Sequence, residues 1–491
     1  MASNRGPVSY QFGADGSLTG KRGGGGMIAG VTDGLAALGP EASVTWICAA
    51  LSDADRVVAR QDTGRRDEGG IPVRMLDIAS GVFDRAYNNV ANSALWFLLH
   101  QLFDTPNQPQ FGHEFRRDWE SYLAYNEAFA EALNQEARAP GQAPSGGLRV
   151  LIQDYHLCLV PRLLRDRLGG GVPEAGIGYF CHTPWAPPDY YRMLPGDVGR
   201  ALLDGILGAD RAGFHAERWA TAFMDCCAAV LGTEVTRTGL DGPGPGPAGR
   251  VTYRGHVTEV AVHPLGVDAP ALRERARAGD VRAHVGALRQ AAGDRKLIVR
   301  VDRTELSKNI VRGLAAYREL LATRPQWRGR VVHLAFAYPS RSALAEYRAY
   351  TERVRELARE ITEEFRTADW EPLILEVRDD YPRSLAACAI ADVLLVNPIR
   401  DGMNLVAQEG PVLSEAGCAL VLSREAGAAA TLAGEALLIN PYDVTETAEA
   451  LHEALVMSDT ERLRRSAALA ATAAADPPAR WLGGQLASLG S

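Results

Sequence analysis

The chain has 491 residues, 46% of them hydrophobic, with a formal charge of -8 and a sequence pI near 5.8. That length is too great for one ordinary core and fits two large domains. Lys and Arg are spread along the chain rather than gathered in a basic run, which argues against nucleic acid as a partner, so any anion must be held by a few placed cations. No apolar run reaches the roughly 18 to 20 residues that span a bilayer, and the first residues lack a charged-then-apolar signal pattern. The expectation is a cytoplasmic enzyme acting on small molecules, with no membrane partner and with a homo-oligomer left open. Seven scattered cysteines with no C-x-x-C pair read as buried reduced thiols.

Short apolar runs recur in chain order at 44–48 (V-T-W-I-C), 148–152 (L-R-V-L-I), 177–181 (I-G-Y-F-C), 296–301 (K-L-I-V-R-V), 330–335 (R-V-V-H-L-A) and 393–396 (V-L-L-V). Continuous apolar strands of this kind, set between helices, predict parallel sheets covered on both faces. Helical spacing predicts helices over 114–138, 209–232, 307–324 and 340–364. Pro and Gly clusters at 139–147 and 241–249 read as loops. A domain boundary is placed near 263–268. The expected division is an N-terminal domain over 1–265, a C-terminal domain over 266–470, and a C-terminal helix over 471–491 packing back on the first domain.

Two motifs carry most of the chemistry. Arg303 and Lys308 lie five residues apart in R-T-E-L-S-K, just past a parallel strand, where ligands of open α/β sheets bind. Arg grips two oxygens and Lys adds a point charge, so the pair suits a departing diphosphate; a surface charge pair is the plainer alternative. In the second motif, 396–409, a buried strand leads to a turn at Asp401-Gly402 and then to a helix. Amides from Gly402 through Met403, Asn404 and Leu405 to Val406 would face an anion, Asp401 would accept sugar hydroxyls, and Glu409 would take ribose hydroxyls. The plainer alternative is an N-capping Asp with a solvated Glu.

Glycines 23–26 precede an apolar helix start and read as a phosphate- or sugar-facing loop, although they depart from G-x-G-x-x-G. Asp154 and His182 each end an apolar strand, which points to one shared site. Tyr87 and Trp96 supply a hydroxyl and an apolar wall, or else pack a helix. No H-E-x-x-H, G-x-S-x-G, Walker lysine loop or clustered His/Cys set is present, so the expectation is a transfer reaction with no metal and no cofactor.

These motifs together resemble the trehalose-6-phosphate synthases, retaining glycosyltransferases of family 20. The similarity runs from S-N-R at 3–5 to N-P-Y-D at 440–443. It includes Y-N-x-x-x-N-x-x-L-W at 87–96, D-Y-H-L at 154–157, H-T-P-W at 182–185, R-T-E-L-S-K at 303–308, P-S-R at 339–341 and R-D-G-M-N-L-V-A-Q-E at 400–409. The D-R-x-E-L-S-K-N form looks like actinobacterial members. The resemblance implies an α/β GT-B fold, two Rossmann-like doubly wound domains facing a central cleft. It implies transfer of glucose from a nucleoside diphosphate-glucose to glucose 6-phosphate. Arg303 and Lys308 would hold the donor diphosphate with the Leu405 and Val406 amides, and Glu409 the ribose. Asp401, His182 and the Gly402–Asn404 main chain would hold the donor glucose, with Gly25 and Gly26 closing over both sugars. Arg5, Tyr87 and Arg341 would clamp the acceptor phosphate beside Trp96, and Asp154 would position acceptor hydroxyls. Retention in this family looks like a front-face transfer, in which the leaving phosphate oxygen takes the acceptor proton and no carboxylate attacks.

Three features depart from the family pattern. Members usually carry several apolar residues before S-N-R, so a longer native N-terminus is expected. Four consecutive glycines replace the usual loop. The Tyr338 region and 376–384 differ from uridine-binding forms, and GDP-glucose is favoured over UDP-glucose as donor. The rival readings are a pseudo-glycosyltransferase coupling a nucleotide-linked cyclitol to an aminocyclitol phosphate, and a sugar-phosphate sensor on a decayed fold. Asp401, Asn404 and His182 count against the first, and Arg303 with Lys308 against the second.

Overall fold

In the computed structural model the chain divides into two units, Met1–Pro264 with Pro478–Ser491, and Leu265–Pro477. The structure describes all residues except 14, 23–25, 37–43, 62–63, 140–147, 169–174, 240–243 and 490–491. The predicted 139–147 loop and Gly25 therefore lie almost wholly outside the described residues.

The first unit opens with a hairpin, β1 (Val8–Phe12) and β2 (Leu18–Arg22). Strands β3 (Trp46–Ala49), β4 (Arg65–Asp67) and β5 (Pro72–Leu76) follow, then β6 (Leu148–Gln153), β7 (Ala175–Cys181) and β8 (Arg211–Phe214). The unit's last strands are β9 (Glu234–Arg237), β10 (Gly246–Tyr253) and β11 (His256–Val262). One group pairs in the order β3-β5-β4, the other in the order β6-β7-β8-β11-β10-β9. The chain start joins them. The Ala2 N–H donates to Leu151 O at 2.8 Å, the Ile47 N–H to Met1 O at 2.8 Å, and the Gln153 N–H to Ala2 O at 2.9 Å. Ala2 thus makes parallel bridges to β3 and β6 together.

The second unit is a single six-stranded parallel sheet of β12 (Lys296–Arg303), β13 (Val331–Tyr338), β14 (Leu373–Glu376), β15 (Val393–Val396), β16 (Ala419–Ser423) and β17 (Leu437–Ile439). Its order is β14-β13-β12-β15-β16-β17, with every neighbouring pair parallel. β15 and β16 are buried along their whole length and β13 along all but its last residue, as expected of strands covered by helices on both faces. Strand order reverses between β12 and β15. A crevice forms at such a switch point because the two connections leave in opposite directions.

Two expectations need correction. Residues 211–214 form β8, not a helix; the helix begins at Glu217 and runs to Cys226, with a π turn after it. The run is too short for periodicity to decide, and Gly213 lets it lie against the Phe180 ring. Residues 246–249 belong to β10, not a loop. The register shifts between Pro247 and Gly249, and such a bulge is where a strand accommodates proline. Elsewhere, 340–344 stays outside the helix Ala345–Phe365, and a 3₁₀ turn, Leu306–Lys308, precedes the helix Ile310–Thr323.

The helix Asp459–Ala475 keeps 471–475 in the second unit, and the chain rejoins the first at Pro478. There the helix Pro478–Ala487 crosses the helix Gly26–Ala36 so closely that a Cβ on Gly34 would lie 2.8 Å from Leu482 Cβ and 3.0 Å from Pro478 O. All seven cysteines are buried and unpaired, and no helix among the described residues is long and apolar enough to cross a membrane. Gly34→Val should cost about 1 to 3 kcal/mol through overpacking. An unchanged urea midpoint in that variant would contradict this packing.

Candidate functional site

In the first unit, Arg5, Asp154 and His182 follow the Ala2 bridge, β6 and β7. Ser3, Asn4 and Arg5 follow the Ala2 bridge. The Ser3 hydroxyl donates to Arg5 O at 2.7 Å and accepts from the Trp46 indole N–H at 2.7 Å, while Asn4 Oδ1 accepts from the Tyr125 hydroxyl at 2.6 Å. With two buried neighbours tied down, Arg5 is left exposed at a fixed point of the backbone. Asp154 follows β6 with φ 75°, a left-handed conformation uncommon in a non-glycine residue. Its Oδ1 accepts the His182 backbone N–H at 3.1 Å, which ties the ends of β6 and β7 together.

His182 has both ring nitrogens engaged. Nε2 lies 2.8 Å from Gln153 Oε1, and Nδ1 lies 3.2 Å from His215 Nε2. Burial, with His215 beside it, holds His182 well below the usual imidazole range, so it acts as a neutral hydrogen-bonding group. Trp481 lies 5.6 Å from the His182 ring and packs edge-on against Phe180. Tyr87 lies on a π-helical stretch, Arg85–Leu95, that opens directly into Trp96. Tyr87 stacks between Phe83 at 5.1 Å and His156 at 5.6 Å, and Trp96 is buried against His100 and Tyr155. A π-helical stretch of this kind is rare and frequently marks a functional position.

In the second unit the two motifs meet at the switch point. Lys308 Nζ lies 2.5 Å from Asp401 Oδ2, which also accepts from Asn404 Nδ2 at 3.0 Å. Burial alone would lower the Lys308 ammonium, but Asp401 and Asp302 outweigh it and hold Lys308 above its ordinary value, so it stays charged. Asn404, at φ 81°, accepts the Ala407 N–H with Oδ1 at 3.2 Å and caps the helix Val406–Leu413, whose first amides have no helical acceptors. Gly427 lies beneath the turn: its N–H donates to Asp401 O at 3.0 Å, and a Cβ there would come within 1.9 Å of Gly402 O.

Arg303 ends β12 half-exposed and pairs with Glu305 at 3.0 Å. Arg341, left-handed at φ 45°, donates to the Tyr347 hydroxyl at 2.7 Å and lies 3.6 Å from the same Glu305. Tyr338 is hydrogen-bonded to Ser384, so the expected base-side residues adjoin. Gly26 begins its helix, and Gly25 lies outside the described residues. Among the described residues no group of three His, Cys, Asp or Glu side chains is placed to hold a metal ion. In the second unit, cations held by carboxylates beside a helix start suit phosphate groups, and in the first a neutral imidazole suits sugar hydroxyls.

The glycosyltransferase family 20 model matches residues 2–490. The chain belongs to glycosyltransferase family 20. This family 20 chain is 32% identical over 465 residues to an α,α-trehalose-phosphate synthase (UDP-forming) of Aspergillus fumigatus, covering 94% of this chain and 84% of the relative. A Schizosaccharomyces pombe protein named as an α,α-trehalose-phosphate synthase (UDP-forming) is 30% identical over 465 residues, with the same shares covered. Among solved structures, the Escherichia coli protein bound with UDP-2-fluoro glucose aligns with a TM-score of 0.82 at 27% identity, covering 100% of this chain and 98% of that one. The Burkholderia xenovorans synthase in complex with glucose 6-phosphate aligns with a TM-score of 0.83 at 25% identity, covering 99% of each. The fold is GT-B, built from two Rossmann-like α/β units.

Four residues of the family 20 chain that sequence reasoning passed over complete these constellations: Gln153, His215, Glu305 and Tyr347. Gln153 and Glu305 sit inside motifs already singled out, and His215 follows β8 as His182 follows β7. That strand-end pattern could have found it. Tyr347 carries no local signal, because only the left-handed turn at Arg341 brings it into reach.

Burial raises the half-buried Glu409 carboxyl from its ordinary 4.5 to about 7. An acid raised on folding contributes stability that is intact below 4.5 and lost as pH climbs to about 7. Glu409→Gln should abolish that slope and leave the variant about 2 kcal/mol more stable than the wild type at pH 8, with no gain at pH 4.5. Urea unfolding at both pH values checks this, and parallel curves would contradict it.

Proposed function

We propose that this chain is an α,α-trehalose-6-phosphate synthase, a retaining glucosyltransferase that moves glucose from a nucleoside diphosphate-glucose to glucose 6-phosphate. The observation that carries the reading is the Lys308–Asp401 pair at the strand switch point, with Arg303 beside it and a capped helix start following. A diphosphate and a hexose hydroxyl are the ligands those groups suit together. The names of the relatives support the same reaction.

The second unit's residues are assigned to the donor as follows. Arg303, Lys308 and the Leu405 and Val406 amides take the diphosphate, Glu409 takes the ribose, and Asp401 with the Gly402–Asn404 main chain takes the glucose. Arg341 is assigned to the acceptor phosphate. In the first unit His182 is assigned to the donor glucose, Asp154 to acceptor hydroxyls, and Arg5 and Tyr87, with Trp96 alongside, to the acceptor phosphate. Negative charge grows on the leaving diphosphate as the glycosidic bond breaks. Fixed cations already facing it lower that barrier without having to reorganise. The leaving phosphate oxygen takes the acceptor proton as the new bond forms on the same face, so no carboxylate has to act as nucleophile. Asp154 positions.

The sequence favoured guanine at the donor base. The relatives are named UDP-forming, and on that support UDP-glucose becomes the proposed donor.

Nucleoside diphosphate release should depend on glucose 6-phosphate and be fastest with UDP-glucose, giving trehalose 6-phosphate. Release without an acceptor-derived product would overturn the reaction, and faster release from GDP-glucose would overturn the donor alone. Arg303→Ala should lose about 2 to 4 kcal/mol of transition-state stabilisation, read as kcat/KM. A near-normal kcat/KM would remove Arg303 from the leaving-group role.

A further inference from the structure

Glu305 has no role in the assignments above, yet its carboxylate is fully enclosed, with 0% of its side chain exposed. Its Oε1 accepts the Ser340 hydroxyl at 2.7 Å and lies 3.0 Å from Arg303 Nη1 and 3.6 Å from Arg341 Nη1. An unpartnered carboxylate at such a depth would cost several kcal/mol. Burial pushes the Glu305 carboxyl up, but Arg303 and then Arg341 outweigh it and hold it down at about 2, so it is ionised throughout the working range.

The surrounding backbone fixes where this charge sits. The Glu305 N–H donates to Arg303 O at 2.7 Å, and the Lys308 N–H donates to Glu305 O at 3.0 Å. One tight turn therefore sets the carboxylate relative to both cations of the R-T-E-L-S-K motif. Arg341 comes from the next strand connection. Its left-handed backbone at φ 45° is a conformation that persists in a non-glycine residue only where the surroundings impose it. The Arg341 side chain is held by Tyr347, whose hydroxyl accepts at 2.7 Å and whose ring lies 5.4 Å from the guanidinium, and it lies beside Glu305.

A guanidinium has five N–H donors in a rigid planar fork, so a carboxylate holding one edge orients the rest without exhausting them. Here one oxygen lies within ion-pair reach of both guanidiniums, at 3.0 Å and 3.6 Å. We propose that Glu305 is a positioning residue that orients Arg303 and Arg341 together, aiming one cation at each of the two phosphate-bearing substrates. The inference rests on the assignment of Arg303 to the donor diphosphate and Arg341 to the acceptor phosphate. Because the two arginines share one anchor, removing its charge disturbs both substrates at once, whereas removing either arginine acts chiefly on its own.

The test compares Glu305→Gln, which keeps the shape and removes the charge, with Glu305→Asp, which keeps the charge one methylene short. For each, kcat and both KM values are measured, together with calorimetric affinities for UDP alone and glucose 6-phosphate alone. In Glu305→Gln both KM values should rise about tenfold or more and both affinities should weaken to match, with Glu305→Asp recovering part of each. Both KM values within about twofold of wild type, a rise in only one, or a fall in kcat alone, as a misfolded fraction gives, would overturn the proposal. Should Glu305→Gln fail to fold, Glu305→Asp decides: a graded weakening for both ligands supports shared anchoring, and unchanged affinities overturn it. A wild-type chain that binds both ligands but transfers no glucose would sink the proposed reaction, while the calorimetry would still decide the role of Glu305.

Discussion

A charge taken out of water has to be matched, and the second unit is organised around that constraint. Lys308 is closed against Asp401, Arg300 against Asp302 at 2.7 Å, and Arg303 and Arg341 against Glu305. Each cation is thus held in place before any anion arrives. The energy of such pairs relative to apolar packing is often near zero. What they give is geometry: long side chains that would otherwise sample many rotamers are held at the carboxyl edge of β12 and β15. Preorganisation of this kind lets a few placed cations, rather than an overall positive charge, favour an anion in a chain whose formal charge is -8.

Backbone choices serve the same end. Asp154, Arg341 and Asn404 all occupy left-handed conformations, and all three lie at the turn following a strand or at a helix start. A glycine would have adopted these angles at less cost. A functional side chain is placed there instead, and the surrounding hydrogen bonds hold the strain. Gly427 shows the converse requirement. Side-chain volume there would push the Gly402 carbonyl away, so the turn at Asp401-Gly402 depends on an empty position twenty-five residues further along the chain.

Much of this was legible in the sequence because buried parallel strands announce themselves. Residues 148–152, 177–181, 296–301 and 393–396 each lie within a strand, and the motifs sit at their carboxyl ends. Where the reading failed, the signal was too short or too unusual. Four residues, 211–214, cannot be told from a helix by period, and the strand at 246–249 carries a proline beside a register shift that no local pattern announces. The partners of site residues were harder still. Gln153, His215 and Glu305 act on neighbours brought together by strand order, and strand order is not written in any local pattern. His182 was legible, but that both of its ring nitrogens are already engaged was not.

The discontinuous make-up of the first unit has a consequence for how the protein is made. Its sheet is joined by Ala2 to strands ending near residues 49 and 153, and one face is closed by a helix that begins at Pro478. The second unit runs without interruption from Leu265 to Pro477. On a ribosome the first residues emerge first, yet the face that Pro478–Ala487 covers stays open until that helix has been synthesised. The Gly34, Gly176 and Gly178 surfaces that receive the last helix and Leu489 stay uncovered through most of translation, which makes them the stretch of this chain on which a holding chaperone has the longest time to act.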